Sequence, residues 1–305
     1  AGRATSRVMR PGSLSLDAFL TRRAADRRLA RLTHDMPLPE ARALEFGPGN
    51  NPVPLPAGVS VTYVDHALDA NAGLPGAAPI DRAWAGSGPL AALLGPEPCD
   101  VAIAAQVAQY VPNLLGWLRG IHGVLRAGGV LNLSLPDKRF MFDAARPVST
   151  LAELVEADLL ALDRASPRQL FAHASEARAI APAQVWEGAD PVTAGRLSGE
   201  DALGHAYREA AAALAEERYV PCHCWVFTPE SFLDLVAGAT RLGLFPFVLN
   251  RIGATEVGGF EFYVSMRRDA EEEPVALRRM QEGGIDHLSR VLAQQHRTAA
   301  LLAGR

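Results

Sequence analysis

Ala43-Leu-Glu-Phe-Gly-Pro-Gly-Asn-Asn-Pro52 and then Val61-Thr-Tyr-Val-Asp65 read as two strands that each end at a ligand site. The first apolar run, Ala43–Phe46, stops in a Gly-rich turn. The second, β-branched, run closes on a carboxylate about 20 residues after Glu45. At the carboxyl edge of a parallel sheet this pattern holds a nucleotide-like ligand: glycines let the backbone approach it, and the acid accepts hydrogen bonds from ribose hydroxyls. The third glycine of a dinucleotide fingerprint is missing. Asn50-Asn51-Pro52-Val53-Pro54 is also a poor helix start for holding a pyrophosphate. A smaller, cationic, ribose-bearing ligand fits this pattern better.

Outward from that site, the apolar patterning predicts a third, weaker strand over about Ile80–Ala85 and a short helix at Leu90–Leu94. A fourth strand follows at Val101–Ala105. Leu114–Leu125 reads as a helix stopped by Ala127-Gly128-Gly129, and Val130–Leu135 as the fifth strand. Upstream, Leu16, Phe19 and Leu20 at helical spacing predict one amphipathic helix within residues 13–33, ended by Pro37 and Pro39. The β/α rhythm breaks at Pro136. Thr150-Leu-Ala-Glu153 has the form of a capping box, with Leu151, Leu154, Val155 and Leu162 expected on one face behind it. A polar segment at Pro182–Gly199 and an Ala-rich helix at Ala202–Glu217 complete an insertion too long to be a structureless loop. Thr228 then caps a helix with Pro229 at its first position. Phe245–Ile252 and Phe260–Met266 read as antiparallel strands joined through Gly258-Gly259. Ile285, Leu288, Val291, Leu292 and Leu302 mark a closing amphipathic helix.

Four segments together resemble a known family: Glu45-x-Gly47-x-Gly49, Asp65, Cys99–Pro112 and Leu125–Pro136. Their order and spacing are similar to those of class I S-adenosylmethionine-dependent methyltransferases, over roughly Ala41–Arg146 and again over Thr228–Arg267. The resemblance implies an α/β, Rossmann-like sheet of seven strands, mostly parallel with a reversed final strand, carrying a mainly helical lid insertion. It also implies S-adenosylmethionine as cofactor and S-adenosylhomocysteine as product. The expected divisions are 1–40 as a helical lead-in, 41–140 as the cofactor-binding core, 141–227 as the lid, and 228–305 as the end of the sheet with the last helix. Pro136–Asp143 with Arg146–Thr150 resembles a bacterial small-molecule branch associated with sugars or secondary metabolites, so O- or N-methylation of a small molecule is the expected activity. Two alternatives stand beside it: a protein that binds the cofactor but catalyses another reaction, and a non-catalytic partner subunit.

Composition narrows the partners. The chain is 49% apolar and carries a net charge of −4, with no basic run interleaved with aromatics, so nucleic acid is not expected. No apolar run reaches membrane-spanning length. Cys99, Cys222 and Cys224 are too few for a disulfide framework. Cys222-His223-Cys224 lacks the second Cys pair that a structural zinc site needs, so no metal is expected. A soluble cytoplasmic protein is the expectation, with homodimerisation open.

The cofactor-binding candidates implied by the resemblance are Glu45, Phe46, Gly47, Pro48, Gly49, Asn50, Asp65, His66, Trp84 and Gln106. After the fourth strand the family often has a Glu-His pair, where this chain has Gln106-Val-Ala-Gln109-Tyr110. These side chains orient a substrate but remove a proton poorly. Tyr110, Lys138, Arg139 and Arg146 are the substrate-binding candidates, the cations for an anionic group; a salt-bridged hinge is the other reading of the basic segment. Asp137, after the fifth strand, and His223, where the chain re-enters the core, are the catalytic candidates. Imidazole is the side chain best matched to taking a proton near neutral pH.

Overall fold

Strand β1 (Arg42–Phe46) lies third in a seven-stranded sheet in a computed structural model that describes residues 13–303. Two helices precede it, α1 (Leu16–Ala25) and α2 (Arg27–Leu32), where one was expected. Asp26 divides them because its carboxylate accepts the Leu29 amide at 3.0 Å and starts a new helix. The apolar face is narrower than the spacing suggests: Phe19 is fully buried, whereas Leu16 and Leu20 are exposed.

After β1 come β2 (Ser60–Asp65), β3 (Arg82–Ala83), the single turn α3 (Ala91–Leu94) and β4 (Cys99–Ala105). Helix α4 (Leu114–Val124) leads into β5 (Leu125–Pro136). The Gly128-Gly129 pair is therefore not a helix stop. Leu125 is already extended and pairs with Cys99, and the glycines form an irregularity inside the strand. Gly128 has φ +78°, and its amide donates to Arg268 O at 2.8 Å. A β-bulge commonly takes glycine at such a positive φ.

The insertion holds α5 (Leu151–Leu159), α6 (Pro167–Glu176), α7 (Pro182–Trp186) and α8 (Ala202–Ala215). Thr150 and Glu153 close the expected capping box, but Leu162 lies beyond the end of α5. On α8, Ala202, Ala206, Ala210 and Ala213 are buried, and their small side chains let α6 approach closely. The insertion leaves and re-enters at one point, the carboxyl end of β5, where Asp137 pairs with Phe227. Thr228 then caps α9 (Pro229–Arg241), its hydroxyl accepting the Ser231 amide at 3.1 Å.

Strands β6 (Val248–Gly253) and β7 (Glu261–Arg267) and helix α10 (Pro274–Ala303) complete the chain. The strand order is β3-β2-β1-β4-β5-β7-β6, with β7 antiparallel to both neighbours. This is the reversed final strand that the resemblance implies. Both sheet faces are covered, as a largely parallel sheet requires. Ala43, Val61, Tyr63, Val101 and Ile103 face Phe19, Leu29 and Leu32. Leu44, Phe46, Val64, Ala102 and Leu133 belong to the larger core with Leu115, Leu118 and Phe232. Ile285, Leu288 and Leu292 bury one side of α10 against β6 and α9, while Val291 is half-buried. Among the described residues no helix is long and apolar enough to cross a membrane.

Candidate functional site

The carboxyl ends of β1, β2 and β4 surround a cavity of about 220 Å³. It adjoins the point where the chain's crossovers change direction between β1 and β4, the usual ligand position in open α/β sheets. Six of the ten expected cofactor residues line it: Phe46, Gly47, Asp65, His66, Trp84 and Gln106.

Gly47 turns the chain out of β1 with φ +57°, its amide donating to Val64 O at 2.9 Å. A Cβ there would lie 2.6 Å from Val107 Cγ2, so glycine is favoured at this position for two separate reasons. Asp65 ends β2. Its Oδ1 accepts the His66 amide at 2.7 Å and meets His66 Nδ1 at 2.8 Å, while Oδ2 has no partner among the described residues. Trp84 serves core and cavity together: it is 7% exposed, contacts Phe46 at 6.0 Å, and donates its Nε1–H to Ser87 O at 2.8 Å. Gln106 follows β4 with φ +61°, uncommon for a residue with a side chain. Its Oε1 accepts from Gln109 Nε2 at 3.1 Å, but its own Nε2 is buried without a partner. Strained backbone and an unmet donor at the edge of a cavity are features of a ligand contact.

Glu45, Pro48, Gly49 and Asn50 do not line the cavity. Glu45 is 2% exposed and points to the α1–α2 side of the sheet, its Oε1 accepting the Val53 amide at 2.8 Å. Its Oε2 is buried and unpartnered. Burial raises its pKa to about 8, against the opposing pull of the Val53 amide and the Arg28 charge. Gly49 has φ +53° but open space around it. Asn50 is exposed.

Of the expected substrate and catalytic residues, Tyr110 alone reaches the cavity. Burial raises its pKa, with Asp143 and Cys222 adding to the effect, so the phenol stays protonated near neutrality. Asp137, Lys138, Arg139, Arg146 and His223 instead contact groups of the chain itself. Asp137 is fully buried; it receives Arg139 Nη2 at 2.6 Å, Arg139 Nε at 2.9 Å and Thr255 Oγ1 at 2.8 Å. Lys138 Nζ donates to Arg146 O. Arg146 is itself buried, giving one N–H to Asp143 at 2.7 Å and another to His223 O at 2.9 Å. His223, 2% exposed, meets Asp143 through Nδ1 at 2.5 Å and lies against the Tyr110 ring at 4.7 Å. It therefore sits behind Tyr110 rather than facing the cleft. Burial pushes the Asp143 carboxyl up, but His223 and Arg146 together outweigh it and hold the pKa below its usual range. Lys138, Arg139 and Arg146 of the basic segment are thus each paired within the chain.

Two cavity residues come from the insertion and carried no signal in the sequence. Tyr219 stacks on His66 with ring centroids 4.1 Å apart, and Asp163 lines the same space. Burial raises the Tyr219 pKa, with Cys224 and Asp65 adding to it. Cys222 and Cys224 are free and buried, their sulfurs 3.8 Å apart.

The fold is that of a Rossmann-like α/β protein, with a cavity at the carboxyl edge of its sheet. No family model and no curated protein matches the chain. Among solved structures it is similar to an S-adenosylmethionine dependent methyltransferase from Mesorhizobium loti, at 15% identity and TM-score 0.40, over 81% of this chain and 100% of that one. A SAM-dependent methyltransferase from Methanosarcina mazei gives 14% and 0.40, over 79% and 98%. A protein from Rhodobacter sphaeroides titled a putative Zn-dependent alcohol dehydrogenase gives 14% and 0.44, over 80% and 90%. Likenesses at this level leave the functional reading to the residues of the site.

Proposed function

We propose that the protein is an S-adenosylmethionine-dependent methyltransferase acting on oxygen or nitrogen of a small molecule. The observation that carries this reading is Asp65: a half-buried carboxylate at the end of β2 with one oxygen fixed by His66 and the other free at the cavity. The residues present fit the cofactor. Asp65 would accept from the ribose hydroxyls, Trp84 and the aromatic wall would border the base, and the unmet Gln106 amide would donate to the remainder. When bound, the cofactor supplies a methyl group activated by a sulfonium charge.

The chain's own contribution is then placement. An in-line displacement needs the acceptor atom held about 3 Å from the methyl carbon, and that alone accounts for much of the acceleration in such reactions. Tyr110 and Tyr219 are neutral donors, the Gln106 side chain does not titrate, and His223 is paired away from the cavity. This set favours acceptors that lose their proton easily or after the transfer. The insertion, which brings Tyr219 to the cavity wall, would act as the lid that keeps water out.

Calorimetry with S-adenosylhomocysteine tests the reading. The wild-type protein is expected to bind it, and Asp65→Ala to weaken binding by roughly 1.5–3 kcal/mol for each charge-assisted hydrogen bond lost. Wild-type protein that takes up no heat-detectable ligand would end the proposal. Unchanged affinity in the variant would remove Asp65 from the ribose.

A further inference from the structure

Helices α5 and α8 end in the same way, and both ends run toward the cavity. At the end of α5, Leu162 N donates to Ala157 O at 3.1 Å and Ala161 N to Asp158 O at 3.0 Å. At the end of α8, Arg218 N donates to Ala213 O at 3.0 Å and Glu217 N to Leu214 O at 3.4 Å. These are two Schellman closures, which place a left-handed residue just past the helix and usually use glycine there. Here the left-handed residues are Ala161, at φ +48°, and Glu217, at φ +51°. Side chains at such positions are strained and persist where the surroundings hold them. Arg164 does so: its guanidinium donates to Glu217 O at 2.8 Å and pairs with Glu217 Oε2 at 3.4 Å, tying the two turns into one unit. Two residues past each strained position, that unit delivers Asp163 and Tyr219 to the cavity wall.

Asp163 is the second carboxylate on this cavity, and the two come from opposite sides. Asp65 belongs to the sheet and Asp163 to the insertion. Asp163 holds only a 3.2 Å contact with its neighbour Arg164. An ionised carboxylate only accepts hydrogen bonds, so it selects a ligand edge that donates. With Asp65 on the ribose, the donating edge that remains on an adenine nucleoside is its exocyclic amine. The base would lie beyond the ribose, between Trp84 and Gly86 of the sheet and the two tied turns of the insertion. The opposite wall is already close-fitting, since a Cβ at Gly86 would come 3.1 Å from Val111 Cγ1 and 3.3 Å from Trp117 Cδ1.

We infer that Asp163 is the residue that reads the base of the bound nucleoside, accepting from its exocyclic amine, and that Arg164 keeps it in place by locking the two helix ends together. This rests on the cofactor reading above. It makes the insertion a determinant of nucleoside specificity as well as a cover. It also explains why two costly left-handed residues coincide at this one place.

The test compares S-adenosylhomocysteine with S-inosylhomocysteine, in which a carbonyl replaces the amine, by calorimetry on the full chain. Wild-type protein is expected to prefer the adenosyl compound by roughly ten- to a hundredfold, the range of one charge-assisted hydrogen bond. Asp163→Asn, which can donate to the carbonyl, should bring the two affinities close together with an unchanged melting temperature. Arg164→Met should weaken the adenosyl compound more than the inosyl one and so narrow the preference, because it frees Asp163 from its place. A preference that survives in Asp163→Asn overturns the assignment while leaving the cofactor reading intact. Failure of wild-type protein to bind either compound defeats the cofactor reading itself.

Discussion

Two polar regions lie back to back on either side of the Tyr110 ring, and they differ in what their charges lack. Behind the ring, Asp143, Arg146 and His223 are each almost wholly buried, and every one is paired to another. In front of it, Asp65 and Gln106 each keep one polar atom free. A buried charge without a partner costs several kcal/mol, so the rear cluster must be complete for the chain to fold. The open oxygen of Asp65 is partly exposed and costs less, whereas the buried, unmet Gln106 amide is a donor left for a ligand. Closed networks hold this molecule together, and open ones mark where it meets something else.

The contrast breaks most visibly at Arg146. Arg146→Met removes the guanidinium from Asp143 Oδ1, leaving only His223 on the other oxygen, and should destabilise the fold by about 3–5 kcal/mol in urea unfolding. His223→Gln, in the same network, should cost about 1–3 kcal/mol by the same measurement. Because the Asp143 pKa is lowered in the fold, the stability it lends is complete above the unfolded-state value. It is lost only as pH falls through the lowered one. A variant at His223 that melts like the wild type but loses activity would move this histidine from the closed region to the open one.

Glu45 sits between the two cases, with one oxygen bonded and the other buried and orphaned. Its pKa of about 8 means that the folded protein keeps a proton which the unfolded chain releases near pH 4.5. The associated stability is complete below the unfolded value and is lost as pH rises toward 8, with no further change above. Glu45→Gln, neutral at every pH, should flatten that decline and be the more stable form at pH 9, by an amount on the order of a few kcal/mol. Equal pH slopes for both proteins would show that the carboxylate is ionised and solvated after all.

The smallest effect separates the two glycines of the turn. Both have positive φ, which costs a side-chain residue about 1–2 kcal/mol. Gly49→Ala should lose about that much and no more, because space around it is open. Gly47→Ala also drives a methyl into Val107, so it should melt lower than Gly49→Ala and bind S-adenosylhomocysteine less well.

Much of the front region could be read in the chain because it is local. A run such as Val61–Val64 followed by Asp65 fixes both a strand and the carboxylate at its end, since the strand's own geometry carries the acid to the sheet edge. Thr228-Pro229 likewise fixed a helix start. Gly128-Gly129 misled because glycines with positive φ serve helix ends and strand bulges equally, and only the pairing of Leu125 with Cys99 distinguishes them. Asp137 read as a catalytic candidate, and Lys138, Arg139 and Arg146 as either substrate ligands or a salt-bridged hinge, because a charge shows its sign in sequence but not its partner. Thr255, 118 residues from Asp137, and His223, 77 residues from Arg146, supply what their own neighbourhood does not.

The sequence by itself determined the strands, their order of appearance, the Gly47 turn and the acid at Asp65, because apolar periodicity and backbone permissiveness act over a few residues. Tertiary structure alone decided that His223 turns away to Asp143, that Glu45 lies on the far side of the sheet from the cavity, and that Asp163 and Tyr219 join Asp65 around it. Those outcomes depend on contacts across tens to hundreds of residues, and burial and pairing at such distances follow from how whole helices pack, not from any local pattern.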